Sequence, residues 1–486
     1  MTLSVVEERR EISIASMFDV IVAGGGPAGI AAAIAAARSG ARTALFELHG
    51  CVGGVWTAGA LSWVLEAGQP GLVQEIVQRL AERDGFAAGD GSNRRVSAFA
   101  YDVETMKLIL EELLIEAGVS LRLHTRVAGA VVAGGRVQSI LTESKSGREA
   151  WSARQFIDCT GDGDLAALAG CGYDYGHPVT GHAQPMSMMA LLSGIDRDDV
   201  SEYILGGRGK LPEGGGPDPR SLLLKALADV GVRPSYSGPT LWAIHDDLFA
   251  LMATHQYAVS GLSAADLTDA TVRGRAEVHR LVNALRSQGG VWSGIRIVAT
   301  AEQIGVREGR RIHGHYTVTA RDTQIGRRHK DAVCTVKIGI DVHSLTADEG
   351  GFLSESTQEI QPDASAADSI ARVSAYDLPL RSLIARDVDG LLLAGRCISG
   401  DFFAHGSYRV TGSAVAMGQA AGVVAALAAL HESLVQDLPW ATIQEALDRF
   451  LGSGTRWTGS RGCAMTPRIV TERGRCERRG GIELKC

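Results

Sequence analysis

The pattern of apolar and polar positions near the start of the chain predicts a strand, a helix and a second strand. Phe18 to Ala23 form a short apolar run typical of a buried parallel strand. The alanine-rich segment "IAAAIAAARSG" predicts a helix ending at Gly40, and "ARTALFE" predicts a strand that ends in Glu47. The pattern therefore predicts a βαβ unit with an acidic residue at the tip of its second strand.

Glycines with a characteristic spacing lie between the first strand and the helix. They are Gly24, Gly26 and Gly29, and Pro27 and Ala28 stand among them at the predicted start of the helix. In a dinucleotide-binding turn, such glycines form a tight turn, admit a pyrophosphate and let helix and strand pack closely. Free N–H groups of the helix then face the phosphates, and the acidic residue binds ribose. A purely structural turn is the alternative, but strand, helix and acid in register favour a dinucleotide.

Further segments repeat the combination of strand, glycine turn and helix. "FIDCTGDGDLAALAG" predicts a strand, a turn at residues 160–162 and a helix, and "GLLLAG" predicts a buried strand closed by Gly395. A glycine- and alanine-rich helix beginning at about Gly412 would direct its N-terminus at an anionic or electron-rich group. Residues 102–117 predict another helix, which a strand and a hairpin turning at "AGG" follow.

Together, these segments resemble the FAD-dependent oxidoreductase family, related to the flavoproteins of fumarate reductase and succinate dehydrogenase. The resemblance is carried by "AGGGPAGIAAAIAAARSGA", "FIDCTGDGDLAALAGC", "IGVREGRRIHGHYTVTARD", "IGIDVHS", "LPLRSLI" and "LLLAGRCISGDFFAHGSYRVTGSAVAMGQAAG", which span most of residues 17–450. The glycine motifs occur in many flavoproteins, whereas "GVREGRRIHG" and "AHGSYRV" are more specific to this group. The segment before "IDVH" departs from the family, which often has an aromatic residue there.

The resemblance implies that FAD is the cofactor and that several segments contact it. The strand "LRLHTRV" is implied to contact adenine through its backbone, the turn at 160–162 to reach the phosphates, and the helix near 412 to face the flavin pyrimidine. The implied cofactor-binding residues are Gly24, Gly26, Pro27, Ala28, Gly29, Glu47, Gly53, Gly54, Val127, Thr160, Gly161, Asp162, Gly395, Gly412, Ser413 and Ala414.

The predicted fold class is α/β. It comprises a Rossmann-like FAD-binding domain of glutathione-reductase type, split into residues 17–170 and 376–450, and an inserted mixed-sheet α+β substrate domain at 171–375. No second βαβ glycine fingerprint follows, so a dedicated nicotinamide-nucleotide domain is not expected. The glycine-rich segment at 206–219 predicts a loop or lid. The tail at 456–486, which carries a net charge of +5, is expected to be disordered or loosely docked.

Candidate catalytic residues lie first in "DFFAHGSYR", just before the helix expected to face the flavin. His405 could give or take a substrate proton, since an imidazole titrates at about 6.5. Arg409 could hold a carboxylate or an enolate oxygen with its planar guanidinium. The alternatives are that His405 packs against the flavin edge and that Arg409 pairs with Asp401.

A second group of candidates lies in "IGVREGRRIHG" and "IGIDVHS". Arg307 is a candidate substrate anchor, although the arginines of this motif could instead form an ion-pair network with Glu308 that joins the domains. Asp341 and His343 alternate on a predicted strand, which would put both on one face. They could orient one another at the active site, or His343 could be a structural core histidine. No metal site is predicted, because His313 and His315 lack an identifiable third ligand.

Composition narrows the function classes. The chain has 486 residues, 45% of them hydrophobic and 21% charged, and a formal net charge of −7, which favours neither nucleic acid nor an anionic membrane as a partner. The apolar segment 413–430 is expected to be a buried helix. The eight cysteines include no CxxC pair, so zinc and iron–sulfur sites are not indicated, and a reducing cytoplasm is the expected location. No signal peptide is expected.

Three functions fit these observations. The first is hydride transfer between a small organic substrate and flavin N5, with His405 as acid or base and Arg409, alone or together with Arg307, holding the substrate. The second is a flavin monooxygenase. The third is a flavin electron-transfer subunit serving a partner protein, which the lack of cysteine clusters disfavours. Homo-oligomerisation and the identity of the external electron donor or acceptor stay open.

Overall fold

The computed structural model describes residues 5, 10–83, 85, 98–205, 218–347 and 373–453. The predicted lid at 206–219 lies almost entirely outside the described residues, as does the whole basic tail. The strands are β1 Ile14–Ala23, β2 Thr43–Phe46, β3 Trp63–Leu65, β4 Ala98–Ala100, β5 Ser120–Arg122, β6 Arg126–Ala133, β7 Arg136–Ser144, β8 Gly147–Asp158, β9 Tyr173–Asp174, β10 Met189–Ser193, β11 Thr240–Ala243, β12 Leu248–Met252, β13 Arg296–Thr300, β14 Arg311–Ile312, β15 Ala332–Val336, β16 Tyr376–Pro379 and β17 Leu391–Leu393.

Helices alternate with these strands through most of the described chain. They are α1 Pro27–Arg38, α2 Leu72–Glu82, α3 Val103–Glu116, α4 Asp164–Leu168, α5 Pro219–Asp229, α6 Ala264–Gln288, α7 Ala320–Ile325, α8 Phe402–Tyr408, α9 Thr411–Leu430 and α10 Trp440–Ser453. The predicted βαβ unit is present as β1, α1 and β2. The predicted helix at 102–117 is α3, and the "AGG" hairpin joins β6 to β7.

The larger sheet is a Rossmann-like parallel sheet with an antiparallel extension. β5, β2, β1, β8 and β17 are mutually parallel in that spatial order. The hairpin β6–β7 pairs antiparallel with the first half of β8, whereas β17 pairs with its last residues. This arrangement leaves the carboxyl ends of β1, β2, β8 and β17 at one edge, where open α/β sheets bind their ligands.

The second sheet has the order β11-β12-β10-β13, and all of its pairings between named strands are antiparallel. The predicted mixed sheet is therefore not formed by these four strands, although Ile204 adds an isolated parallel bridge to Leu241 on β11. The physical reason is the connection: β11 and β12 are joined by a turn of only four residues, too short for a parallel crossover. The sheet packs with α5 and α6 around a core of its own, which is separate from the core of the larger sheet.

The two alanine-rich helices, α1 and α9, pack on each other at very short range. A Cβ atom at Gly418 would overlap the carbonyl oxygen of Ala28, and one at Gly422 would overlap that of Ala32. The small residues of α9 are thus required by a close crossing of two backbones. In length and composition α9 could cross a membrane, yet 89% of the relevant window is buried inside the protein. That burial matches the prediction of a buried helix.

Candidate functional site

The glycine turn lies where β1 passes into α1, and its residues have distinct surroundings. Gly24 has φ of +93°, and a Cβ there would come within 2.5 Å of the Cys159 carbonyl oxygen. A Cβ at Gly29 would overlap the Gly24 carbonyl oxygen, so this glycine allows close packing of helix and strand. Gly26 caps α1 without a side-chain hydrogen bond, and a Cβ there would have no atom within 4 Å. The first N–H groups of α1 therefore face open space in front of Gly26, which fits a pyrophosphate.

The structure brings the distant glycine segments together around this turn. The amide of Gly53 donates to the Gly25 carbonyl at 2.7 Å, and a Cβ at Gly54 would lie 3.1 Å from the Cα of Gly26. A Cβ at Gly395 would lie 3.2 Å from the Cβ of Ala28. Three segments that sequence reasoning assigned to the cofactor thus lie side by side, at the carboxyl edge of the parallel sheet.

Glu47 lies at the tip of β2, as predicted, and its carboxylate supports the turn. Its Oε2 accepts a hydrogen bond from the Gly25 amide at 2.6 Å, and its Oε1 accepts one from the His49 amide at 2.8 Å. Each carboxylate oxygen can accept a second bond, so ribose hydroxyls would still find acceptors here. Val127 lies on β6, where it pairs with Thr142 on β7. Its predicted contact with adenine stays a prediction.

The turn at residues 160–162 packs under the glycine turn and is braced by charged groups. The Thr160 Cα would lie 2.8 Å from a Cβ at Gly24. Asp162 forms an ion pair with Arg396 at 3.0 Å, and Arg310 donates to the Asp162 carbonyl at 2.9 Å. Burial raises the pKa of the Asp162 carboxyl, which these arginines counteract.

The base of the same turn is held by Asp158, the last residue of β8. Its carboxylate accepts hydrogen bonds from the Thr160 amide and hydroxyl and from the Ala166 amide, at 2.7–3.0 Å. Burial nevertheless raises its pKa to about 6.

The start of α9 contacts the loop that follows β3. A Cβ at Gly412 would overlap the carbonyl oxygen of Glu66, and the Ser413 hydroxyl donates to the Glu66 carboxylate at 3.1 Å. Ala414 is buried in the main core. The predicted contact of this helix start with the flavin stays a prediction.

A charged cluster lies between the end of α8 and residues that flank the second sheet. Arg409, at the end of α8, donates to the Asp341 carbonyl at 2.7 Å and to its carboxylate at 3.2 Å. It does not pair with Asp401, the partner that proximity in sequence suggested. Asp401 instead caps α8, accepting from the Ala404 amide at 2.7 Å, and also binds the Ala320 amide.

Asp341 also contacts His343, which supports the prediction that the two orient one another. The His343 Nε2 lies 3.4 Å from the Asp341 Oδ1. The segment is not the predicted strand, because His343 forms only an isolated bridge and residues 337–342 have no regular structure. Burial and the charge of Arg307 lower the pKa of His343 to about 4. Although burial alone would raise the pKa of Asp341, its hydrogen bond to His343 and the charges of His343, Arg409 and Arg307 hold it well below its usual range.

Arg307 joins this cluster from the segment after β13. Its guanidinium donates to the Pro185 carbonyl and to the Ser187 hydroxyl, both at 2.8 Å, and lies 4.0 Å from the Met252 sulfur. Burial, and then the positive charge of Arg409, lower its pKa to about 10. Its surroundings are those of a cation held by neutral groups.

Aromatic side chains that sequence reasoning missed complete the cluster. The His255 ring lies 4.8 Å from that of His343 and 4.2 Å from that of Tyr236, and its Nδ1 lies 3.2 Å from the Tyr257 hydroxyl. Burial lowers the pKa of His255 far below its usual value. His255 and Tyr257 also line an open cleft of about 580 Å³. No local motif marks these residues, which β12 and its flanking loops deliver to the site.

His405 lies apart from the accessible part of this cluster. Its side chain is 0% exposed, and its ring packs edge-on against Tyr408 at 5.5 Å. Burial, followed by the charges of Arg311 and Arg409, lowers its pKa well below the usual value, so it is neutral at pH 7. Its predicted role as acid or base stays a prediction.

The other arginines of "GVREGRRIHG" form structural ion pairs. Arg311 pairs with Glu308 in the interior, and Glu308 also accepts from the Gly176 and Gln184 amides. Arg310 pairs with Asp164 at 2.8 Å. Arg307 is thus the arginine of this motif that takes no part in these ion pairs. Within the described ranges, no group of three or more His, Cys, Asp or Glu side chains could hold a metal ion.

Comparison with known proteins agrees with the cofactor site. The family described as "FAD dependent oxidoreductase" matches residues 19–447. No curated protein is significantly similar to the chain in sequence. Similar solved structures include a geranylgeranyl bacteriochlorophyll reductase-like protein from Thermoplasma acidophilum, with 11% identity, a TM-score of 0.45 and coverage of 90% of this chain and 87% of that one.

Two further solved structures resemble this chain over 90% of its length. They are a myxobacterial FAD-dependent chondrochloren halogenase, with 14% identity, 79% of its own chain covered and a TM-score of 0.44, and an anhydrotetracycline hydroxylase from Streptomyces rimosus, with 14% identity, 66% covered and a TM-score of 0.42. These likenesses are too distant to indicate an activity. The family match spans most of the chain, and the glycine turns provide room for a dinucleotide. The chain therefore belongs to the FAD-dependent oxidoreductase family and is an enzyme whose cofactor is FAD.

Proposed function

We propose that this enzyme transfers a hydride between a small organic substrate and flavin N5, and that the charged cluster of Arg307, Arg409, Asp341 and His343 is the substrate site. The observation that supports this function is the cluster itself. Two guanidinium groups, a carboxylate and a neutral imidazole meet in a recessed position. Such a combination can bind a polar substrate and move a proton.

FAD would be held by the glycine turns, in the manner of a glutathione-reductase-type domain. The N-terminus of α1 would bind the pyrophosphate, and Glu47 would bind ribose. The turn at 160–162, Gly395 after β17 and the start of α9 at Gly412 would contact the rest of the cofactor. When bound, FAD supplies the hydride acceptor or donor at N5.

The side chains of the cluster have different roles in the proposed reaction. Arg409 is fixed by two contacts with Asp341, which keeps its guanidinium in one orientation. His343 is neutral at pH 7, because its pKa is about 4, and its Nε2 faces the Asp341 carboxylate. A neutral imidazole beside a carboxylate can accept a substrate proton, and the carboxylate stabilises the resulting cation. His343 is therefore a better candidate acid or base than His405, which is wholly enclosed.

An anaerobic reduction experiment tests this function. FAD-loaded protein is mixed with a panel of small hydroxy and amino acids, and separately with NADH and NADPH, while the visible flavin absorbance is followed. We expect an organic substrate to reduce the flavin without oxygen. We expect His343→Gln to slow that reduction at least tenfold with an unchanged bound-flavin spectrum, since general acid–base catalysis contributes about 10²–10⁴-fold.

A matched variant, His405→Gln, separates the two histidines. If it slows reduction and His343→Gln does not, the assigned acid or base is wrong. Reduction by NADH or NADPH alone, with oxygen then incorporated into a product, would contradict the proposal and support the monooxygenase. Reduction only by a partner protein would support the electron-transfer subunit.

A further inference from the structure

The charged cluster is recessed and partly open to water. The Asp341 side chain is 38% exposed, although burial acts on its pKa. Arg307 is likewise only partly buried, and burial lowers its pKa. The charges of the two residues interact.

The charges of this cluster and of its neighbours do not balance. Arg307 and Arg409 carry two positive charges, and Asp341 supplies one negative charge. His343 and His255 are neutral at pH 7, because burial lowers both pKa values. The neighbouring ions cancel in pairs, as Arg311 with Glu308 and Arg396 with Asp162.

Another cation adds to the excess. Arg220 lies close enough to Tyr236 to lower the pKa of its phenol against the effect of burial. The described residues of the cluster and its surroundings therefore carry a surplus of at least one positive charge. An uncompensated charge in such a place is costly unless a bound group neutralises it.

The positive charge that lacks a carboxylate partner is that of Arg307, not that of Arg409. Arg409 already contacts the Asp341 carboxylate, whereas the partners of Arg307 are a carbonyl, a hydroxyl and a sulfur atom. A guanidinium has five N–H donors in a planar fork that matches a carboxylate. Among the described residues, none gives Arg307 such a partner.

We infer that the substrate carries a carboxylate and that Arg307 is the residue that binds it. Arg409 then serves mainly to hold Asp341, and through it His343, in position. The rings of Tyr236, His255 and Tyr257 line the same region and favour a flat or apolar body beside the carboxylate. This inference deepens the proposed function and rests on the cluster being the substrate site.

Binding of a carboxylate and of its neutral isostere tests the inference without turnover. FAD-loaded protein is titrated with benzoate, benzamide and inorganic phosphate, and the heat of binding and the flavin absorbance are recorded. We expect benzoate to bind at least about tenfold more tightly than benzamide, because the neutral amide cannot form an ion pair with Arg307. We expect the same preference over phosphate, which lacks the flat apolar body that the neighbouring rings favour.

Variants of two arginines test whether the preference for benzoate depends on Arg307. Arg307→Gln should weaken benzoate binding about 10- to 100-fold and leave benzamide binding unchanged. Arg307→Lys should restore part of the loss. Arg233→Gln, at an exposed arginine of the neighbouring open cleft, should leave benzoate binding unchanged. Each variant is first shown to bind FAD and to unfold at the wild-type temperature.

Several results would overturn the inference. They are equal affinity for benzoate and benzamide, preference for phosphate, binding of neither ligand by the wild-type protein, and a benzoate affinity that Arg307→Gln does not change. The outcome is independent of the proposed reaction. Carboxylate binding through Arg307 in a protein whose flavin no organic substrate reduces would leave this inference standing and contradict hydride transfer.

Discussion

Gly26 offers a substitution that separates cofactor binding from folding. It has φ of −71° and ψ of −175°, which alanine adopts without strain, and a Cβ there would have no atom within 4 Å. We therefore expect Gly26→Ala to keep the FAD-free protein as stable as the wild type or to stabilise it by about 0.4–1 kcal/mol, through a less flexible unfolded chain. The added methyl group, however, would occupy the open space in front of α1.

The expected loss of FAD affinity follows from that position. A phosphate displaced by the methyl group gives up about one charge-assisted hydrogen bond with the helix N-terminus, worth about 1.5–3 kcal/mol. That energy corresponds to an increase of about 10- to 100-fold in the FAD dissociation constant. The measurements are thermal unfolding of the FAD-free protein and a titration with FAD followed by flavin fluorescence.

Two matched glycines serve as controls. Gly68→Ala, at another glycine with no atom within 4 Å of its Cβ position, should leave FAD affinity unchanged and should have the same neutral or slightly stabilising effect on the FAD-free protein. Gly29→Ala should destabilise the FAD-free protein by at least about 1–3 kcal/mol, because its Cβ would overlap the Gly24 carbonyl oxygen. Wild-type FAD affinity in a folded Gly26→Ala protein would refute the placement of the pyrophosphate at this turn.

Three further predictions concern packing, support of the turn and pH. Gly422→Ala should lower the free energy of unfolding by about 1–3 kcal/mol, because the added methyl group would force α1 and α9 apart. Gly452→Ala, at a glycine with open space around its Cβ position, should not lower it, and chemical denaturation of the two variants measures the difference. Glu47→Ala should destabilise even the FAD-free protein by about 1–3 kcal/mol, since it orphans the Gly25 amide, and an unchanged melting temperature would contradict this. The pKa of His343 is about 6.5 in the unfolded chain and about 4 in the folded protein, so the unfolded chain binds more protons between these pH values. The free energy of unfolding should therefore rise with pH across this window, by up to about 3 kcal/mol. His343→Gln should flatten the profile of melting temperature against pH, and an unchanged profile would exclude the effect.

Local patterns predicted the elements of the cofactor domain because those elements are determined locally. The apolar run at 18–23, the alanine-rich helix and the strand ending in Glu47 appear as β1, α1 and β2. The helix at 102–117, the hairpin after it and the helix from about Gly412 also appear with nearly the predicted bounds. In each case a periodic pattern and a turn signal lie within a few residues of one another. The glycine spacing then required the backbone geometry that the structure displays at Gly24 and Gly29.

The second sheet and the segment before His343 show where local patterns fail. An apolar run such as 338–342 satisfies a strand pattern, but a strand also needs a partner edge, and the neighbouring β15 is paired with β16. Strand direction likewise depends on the connections between strands, which the hydrophobic pattern does not record. The antiparallel order β11-β12-β10-β13 follows from a short turn and from long loops that return the chain.

The partner of Arg409 shows why the cofactor was easier to predict than the proposed substrate site. Asp401 lies eight residues away along the chain, but its carboxylate caps α8 and binds the Ala320 amide, while the guanidinium of Arg409 lies against Asp341. The true partner, Asp341, lies 68 residues away, and His255 and Arg307 join the same cluster from two other segments. A phosphate can be bound by consecutive backbone amides, which leave a glycine motif in the sequence. A substrate is bound by side chains that only the tertiary fold assembles, so its recognition leaves no comparable motif.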